Sequence, residues 1–300
     1  MPSTETYPIQ EFLNYLTFQK RYSENTIISY QTDLTAFFEF LFLEYKINLV
    51  TEITTPVIRT WLASLKENKS SSKTINRKIS SLKSFFKYQL RLKHIAISPM
   101  VIISSLKVNR RLPSFIDENA INTLLNYDYF PDTFKGKTDF LLFEILYQTG
   151  IRRNELIHLK ENNIDSYAST IKVLGKGNKE RLIPVNNELL RIMNQYISEK
   201  RKEFPENSEG FLLINKKGKQ LDPKYVYNVV KNNLSKVSTN ERKSPHVLRH
   251  SFATHLTNHG AQINPIKELL GHSSLASTQI YTHNSIERLK EVHKQAHPKS

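Results

Sequence analysis

The chain keeps one apolar period almost throughout and breaks it once, which restricts the fold to a mainly α architecture with a small β element. Ile9, Phe12, Leu13 and Leu16 fall at helical spacing. So do Ile27, Tyr30, Leu34, Phe37 and Leu41, behind Ser23 as a candidate N-cap. Thr55-Pro56 offers a cap and a first-turn proline for a third helix that buries Ile58, Trp61, Leu62 and Leu65. A fourth helix, over residues 72–92, sets Ile75, Ile79, Leu82, Phe86 and Leu90 on one stripe and Lys83, Lys87 and Arg91 on another. Together these make a small bundle with one basic side.

Ser98-Pro99 stops the fourth helix, and a basic linker with Arg110 and Arg111 leads to a new start at Asp117. Helical spacing returns near residues 120–125 and 139–148. Around Thr170 the period becomes two: Ile171 and Val173 alternate with polar neighbours, and a second extended run covers residues 180–185 beyond Gly175-Lys176-Gly177-Asn178. This is a hairpin signal, with glycines for the turn. Pro184 cannot donate to a ladder, so its strand either ends there or lies at an edge. After it the helical period resumes. A length of 300 residues suits two cores. The expected organisation is a helical domain over 1–106, a linker over 107–113 and a second domain, with the hairpin, over 114–300.

The formal charge of +15 points to a polyanionic partner, and its distribution narrows the choice. Residues 68–116 contain no Asp or Glu, while Lys69, Lys73, Arg77, Lys78, Lys83, Lys87, Arg91 and Lys93 all lie within them. A solvated face usually mixes signs, so this run reads as a surface that tracks phosphates. Charge alone does not separate DNA from RNA or an acidic membrane; Lys73, Arg77, Lys83 and Lys87 are the candidate contacts of this surface. With no cysteine there is neither a disulfide framework nor thiolate chemistry, which fits a reducing cytoplasm. The amino terminus lacks the pattern of a signal peptide, and the apolar runs near Phe37 and Phe140 are too short for membrane insertion.

Six residues of the second half can be assembled into a phosphoryl-transfer site that needs no metal. They are Arg152 in TGIRRNEL, Lys176 in LGKGNKER, His246 and Arg249 in SPHVLRHSFATHL, His272 in LLGHSS and Tyr281 in IYTH. In-line attack on a phosphodiester builds negative charge on the non-bridging oxygens and requires a nucleophile, a proton for the leaving oxygen and fixed donors. Guanidinium suits the donor role because it stays charged and offers a planar fork. Ser244 and Pro245 set the register of a helix on which His246 and Arg249 lie one turn apart on one side. Gly271 ends a helix opened by Asn264-Pro265, placing His272 just beyond it. The bland readings are an Arg152–Glu155 surface ion pair, a solvated Lys176 and a structural Tyr281, one of 14 tyrosines. His246/His250 and His255/His259 are i,i+4 pairs, yet no HExxH accompanies them. No GxxxxGK[ST] occurs either, so no cofactor is expected.

This set, in this order, resembles the tyrosine recombinases, and the wording around each residue is most similar to their XerC/XerD branch. The resemblance spans nearly the whole chain. It implies a two-domain DNA clamp in which Tyr281 is the nucleophile and forms a 3′-phosphotyrosyl link. Arg152 and Arg249 would hold the phosphate, Lys176 would protonate the 5′ oxygen, and His272 would bond the phosphate. His246 is left as base or donor. Lys179 and Arg181 would contact backbone phosphates. The implied partners are double-stranded DNA with a dif-like site and a homo- or hetero-tetramer with a paralogous recombinase, with activation by a septal DNA translocase left open. Chromosome dimer resolution is the implied role. The alternatives are the integrase of a mobile element, a non-catalytic DNA-binding regulator and a type IB topoisomerase. The tail from Ser285, with Ile286, Leu289 and Val292 at helical spacing, packs either on a neighbour or on its own domain.

Overall fold

A computed structural model describes residues 8–108, 114–126, 129–175, 179–205, 209–271 and 291–298. The chain divides into two compact units, Met1–Arg111 and Leu112–Ser300. Among the described residues of unit 1 there is no strand, and its α-helices are α1 (Ile9–Asn14), α2 (Glu24–Tyr45), α3 (Thr55–Glu67) and α4 (Ser72–Arg91). A short π-helical turn, Tyr15–Gln19, extends α1. The spacings read from sequence fill its core with Phe12, Leu34, Phe37, Ile58, Trp61, Ile79, Leu82 and Phe86. Phe12 meets Phe85 edge-on and Phe37 packs on Trp61, the chain's lone tryptophan. Ser71 caps α4 by accepting from the Thr74 amide. Ser23 holds the N-cap position of α2, but its hydroxyl pairs with that of Thr26 and does not cap.

Unit 2 is built around α6 (Phe134–Thr149), which is buried on all sides from Thr138 onward, Asp139, Glu144 and Gln148 included. Helices α8 (Asn187–Glu203), α9 (Pro223–Val237) and α10 (Pro245–Asn258) pack around it, α5 (Glu118–Leu124) packs on α9, and the short α7 (Arg153–Ile157) follows α6 directly. Helix α11 (Ile263–Leu270) packs on α10 and on the strand Glu180–Pro184. Gln262 occupies its N-cap position, and the Pro265 expected to open it sits inside the first turn. Three antiparallel strands form the only sheet among the described residues, in the order β1 (Ile164–Asp165), β2 (Thr170–Leu174), β3 (Glu180–Pro184). Ile171 pairs with Ile183. β3 is an edge strand that ends at Pro184, so both outcomes expected of that proline hold together. Strand β1 has two residues, too few to show a period.

The described end of the tail, residues 291–298, packs on α6 and α10 of its own unit. His293 Nε2 donates to the Gln148 carbonyl at 2.8 Å, and the His293 and His297 rings stack. Burial pushes the His293 imidazole down, with its bond to the Gln148 carbonyl opposing. Ser285, Ile286 and Leu289 lie outside the described residues.

Gly150 closes α6 in the left-handed region at φ +58°, and a Cβ there would lie 2.5 Å from Phe252. Backbone strain and overpacking therefore act together, at about 2 to 4 kcal/mol for Gly150→Ala. Trp61 reports on unit 1 alone. Urea unfolding of the variant should move the circular-dichroism transition of unit 2 to lower urea while leaving the Trp61 fluorescence transition in place. An unmoved circular-dichroism transition would show that Gly150 is dispensable.

Candidate active site

Glu155, in the first turn of α7, is where the site is organised. Its side chain is 4% exposed, and its carboxylate accepts four hydrogen bonds. Oε1 takes Arg152 Nη1 and Arg181 Nη1, each at 2.8 Å; Oε2 takes the Arg152 amide at 2.7 Å and Arg181 Nη2 at 2.8 Å. The amide bond is local in origin: Arg152 is the N-cap residue and Glu155 the third residue of the helix, a spacing at which an acidic side chain folds back onto an otherwise orphan N–H. Burial by itself would raise this carboxyl. The Arg181 bonds and charge, with the Arg152 amide and guanidinium, outweigh it and hold Glu155 at about 2.

The three arginines also cap the end of α11. Arg181 Nε donates to Leu269 O at 2.8 Å, Arg249 Nη2 to Leu270 O and Arg152 Nη2 to Gly271 O at 2.9 Å. Arg249 Nη1 adds a bond of 2.6 Å to Gly150 O at the end of α6. Helix C-termini leave carbonyls without partners and carry partial negative charge, so cations are favoured there. Gly271 stands at φ +62°, which turns the chain sharply as α11 ends. Five elements, α6, α7, β3, α10 and α11, thus meet at one cluster of guanidiniums. Arg181 and Arg249 are buried, whereas the Arg152 side chain remains 35% exposed.

The charges do not balance. Among the described residues three guanidiniums, Arg152, Arg181 and Arg249, stand against one carboxylate, so 3 − 1 leaves a formal excess of +2. Burial, then the charges of Arg152 and Arg181, push the Arg249 guanidinium down to about 9, with Glu155 opposing. An anion delivered to the exposed edge at Arg152 relieves that repulsion.

Arg152 and Arg249 are therefore brought together as expected. His246 is exposed in the first turn of α10, three residues before Arg249. Lys176, His272 and Tyr281 lie outside the described residues. Gly175 and Lys179 do not, and the Gly175 amide donates to the Lys179 carbonyl at 2.8 Å, joining the two arms that flank Lys176. Arg153 is exposed and donates to Pro223 O at 3.4 Å.

Arg181 corrects an expectation. The exposed backbone-phosphate contact expected of it does not match its placement: its side chain is 5% exposed and three of its N–H groups are given to Glu155 and Leu269. Its place is visible in the strand alternation, which puts it on the same side as the buried Ile183. The Arg152–Glu155 pair forms, but at a buried carboxylate and not on the surface. Lys179 is exposed, as are Lys73, Lys83 and Lys87 on α4. Arg77 is exposed yet tied to Asp33, and Lys78 turns inward, 3.2 Å from Asp33 and over the Trp61 ring. Among the described residues no group of three or more His, Cys, Asp or Glu is placed to hold a metal ion, and no helix is long and apolar enough to cross a membrane. His255 Nδ1 pairs with Tyr147 Oη at 2.9 Å, and His259 Nδ1 with Ala296 O.

A carboxyl held at about 2, against an ordinary value of 4.5, contributes stability that is complete above pH 4.5 and is lost as pH falls toward 2. The contribution is about 3 kcal/mol. In pH-dependent urea unfolding, Glu155→Gln should flatten the acid loss of unit 2 by about that amount. An unchanged acid slope would mean that Glu155 is not the carboxylate that responds.

Residues 114–288 match the Phage integrase family, and residues 9–93 match the Phage integrase, N-terminal SAM-like domain. The tyrosine recombinase XerC of Anoxybacillus flavithermus is 34% identical over 297 residues, covering 98% of both chains. The tyrosine recombinase XerD of Staphylococcus saprophyticus is 35% identical over 295 residues, covering 97% of this chain and 99% of that one. The XerH site-specific recombinase in its post-cleavage complex with a palindromic difH substrate shares the fold, with a TM-score of 0.72 at 24% identity over 95% of this chain and 83% of that chain. The matched segments, the near full-length identity and the shared fold together establish that this chain is an enzyme of the tyrosine recombinase (phage integrase) family.

Proposed function

We propose that the chain is a site-specific DNA recombinase that cuts and rejoins strands through a 3′-phosphotyrosyl intermediate on Tyr281, and that it serves in Xer-type resolution of chromosome dimers. The observation that carries this reading is the formal +2 at the arginine cluster, with Arg152 open to a ligand. A phosphodiester brings one negative charge, and the pentacoordinate state reached by in-line attack brings more. Donors fixed beforehand by Glu155, Gly150 and Leu270 therefore bind the transition state better than the ground state.

In the proposed step the Tyr281 oxygen attacks phosphorus and the bond to the 5′ oxygen breaks. The tyrosine proton passes to a base, with His246 the candidate, and Lys176 gives a proton to the departing 5′ oxygen. His272, one residue beyond the α11 cap, donates to a non-bridging oxygen. A 5′ hydroxyl from the second duplex then attacks the phosphotyrosine and reverses each transfer. The number of ester bonds is conserved, so the cycle needs no nucleotide hydrolysis, and the positive groups already present supply the charge a metal ion would bring.

Unit 1 is proposed to hold the duplex through Lys73, Lys83 and Lys87, and unit 2 to perform the chemistry while Lys179 holds a backbone phosphate. Each site cuts one strand, so exchange between two duplexes takes four protomers, made from this chain alone or with a paralogue, on a dif-like site in the cytoplasm. A septal translocase acting on such an assembly would belong to the same role. Identity to XerC and XerD relatives along almost the whole chain supports this reading over a mobile-element integrase.

On a nicked suicide duplex in excess EDTA, the chain should form a covalent protein–DNA adduct, and Tyr281→Phe should abolish it while changing DNA affinity less than about 3-fold, because only the nucleophilic oxygen is removed. An adduct with the Phe variant, or cleavage that returns only with a divalent ion, would overturn the assignment.

A further inference from the structure

The basic residues of α4 divide into two kinds. Lys73, Lys83 and Lys87 are exposed ammonium groups on flexible stems. Arg77 is also exposed, its side chain to 46%, but it is held. Its Nη1 donates to Asp33 Oδ2 at 2.7 Å and to Ser29 Oγ at 2.6 Å, both on α2. Asp33 is itself fixed, 1% exposed, accepting from Ser81 Oγ at 2.8 Å and lying 3.2 Å from Lys78 Nζ. Arg77 therefore lies over the seam between α2 and α4, tied to a buried carboxylate.

The donor inventory of guanidinium shows what remains. Both hydrogens of Nη1 are committed, which leaves the edge formed by Nε and Nη2, two parallel donors on a side chain that is 46% exposed. The Asp33 carboxylate offsets part of the Arg77 charge, which lowers its worth to a phosphate, where net charge counts most. The same bond removes rotamer freedom, which raises its worth wherever direction counts. Parallel donors in a fixed orientation match the O6 and N7 acceptors of guanine in the major groove, the commonest base-specific arginine contact.

We propose that Arg77 reads a guanine of the DNA site through its Nε–Nη2 edge, with Asp33 as its positioning residue, while the neighbouring lysines hold the phosphate backbone. This rests on the reading of the chain as a site-specific recombinase and adds a residue that determines which site is bound.

Binding-site selection from a randomised duplex library tests it with the full chain. The native chain should enrich a sequence containing an obligatory guanine. Arg77→Lys should enrich the same sequence with that one position relaxed, the discrimination there falling about 5- to 150-fold, and with the salt dependence of binding unchanged because the charge is kept. Asp33→Asn should relax the same position, since it frees the guanidinium without removing it. Should circular dichroism show Asp33→Asn unfolded, Arg77→Lys decides alone. As a contrast, Lys87→Ala should weaken all sequences alike and reduce the salt slope by about 1. Retention of every base preference by Arg77→Lys, or a uniform loss like that of Lys87→Ala, would overturn the proposal. A native chain that enriches no sequence at all would instead overturn site-specific recombination itself.

Discussion

A single buried carboxylate, that of Glu155, holds unit 2 in register. Glu155 is expensive to bury alone, and it persists because each of its four acceptor sites is filled by an arginine donor. Those bonds join α7 to β3, and the same arginines join both to the last turn of α11. Removing the carboxylate would leave Arg181 buried beside two further cations. Arg249, already pushed down by burial and by those neighbours, would lose the one group that opposes them. The pair thus fixes both where the guanidiniums point and how far their charge exceeds neutrality.

That excess links fold to function. In the proposed reaction a phosphodiester approaching Arg152 would meet donors whose orientation was set during folding, so little reorganisation would accompany the build-up of charge on its oxygens. The carbonyls of Gly150, Leu269, Leu270 and Gly271 take part as well. They hold the arginines by their remaining N–H groups and tie two helix ends to the site. His293 of the tail donates to Gln148 O, two residues before Gly150, so the described end of the tail is anchored beside the same helix terminus.

Much of this was legible in the chain itself. The helical spacings of unit 1, the hairpin around Thr170 and the partnership of Arg152 with Arg249 follow from period, turn chemistry and motif order. Strand β1 was not legible, because two residues carry no period, and its pairing with β2 is a tertiary event. The roles of Arg181 and Glu155 were missed for a different reason. Charged residues are exposed by default, and only the contact between β3 and α7 shows that these two neutralise each other inside the unit. The alternation Arg181–Ile183 was the available signal. On α4, likewise, lysines and arginines look equivalent in sequence. Asp33, 44 positions before Arg77 along the chain, separates one from the rest.

The central claim is that the arginine cluster acts by matching its excess charge to the phosphate. Replacing the scissile phosphate by a methylphosphonate, which is neutral in the ground state, tests this most directly in single-turnover cleavage. Arg249→Ala should slow cleavage of the ordinary phosphodiester by about 10²- to 10³-fold, the range for loss of one preorganised donor, yet slow the methylphosphonate far less. Equal slowing of both substrates would contradict charge matching and leave Arg249 as a structural tie between α6 and α11.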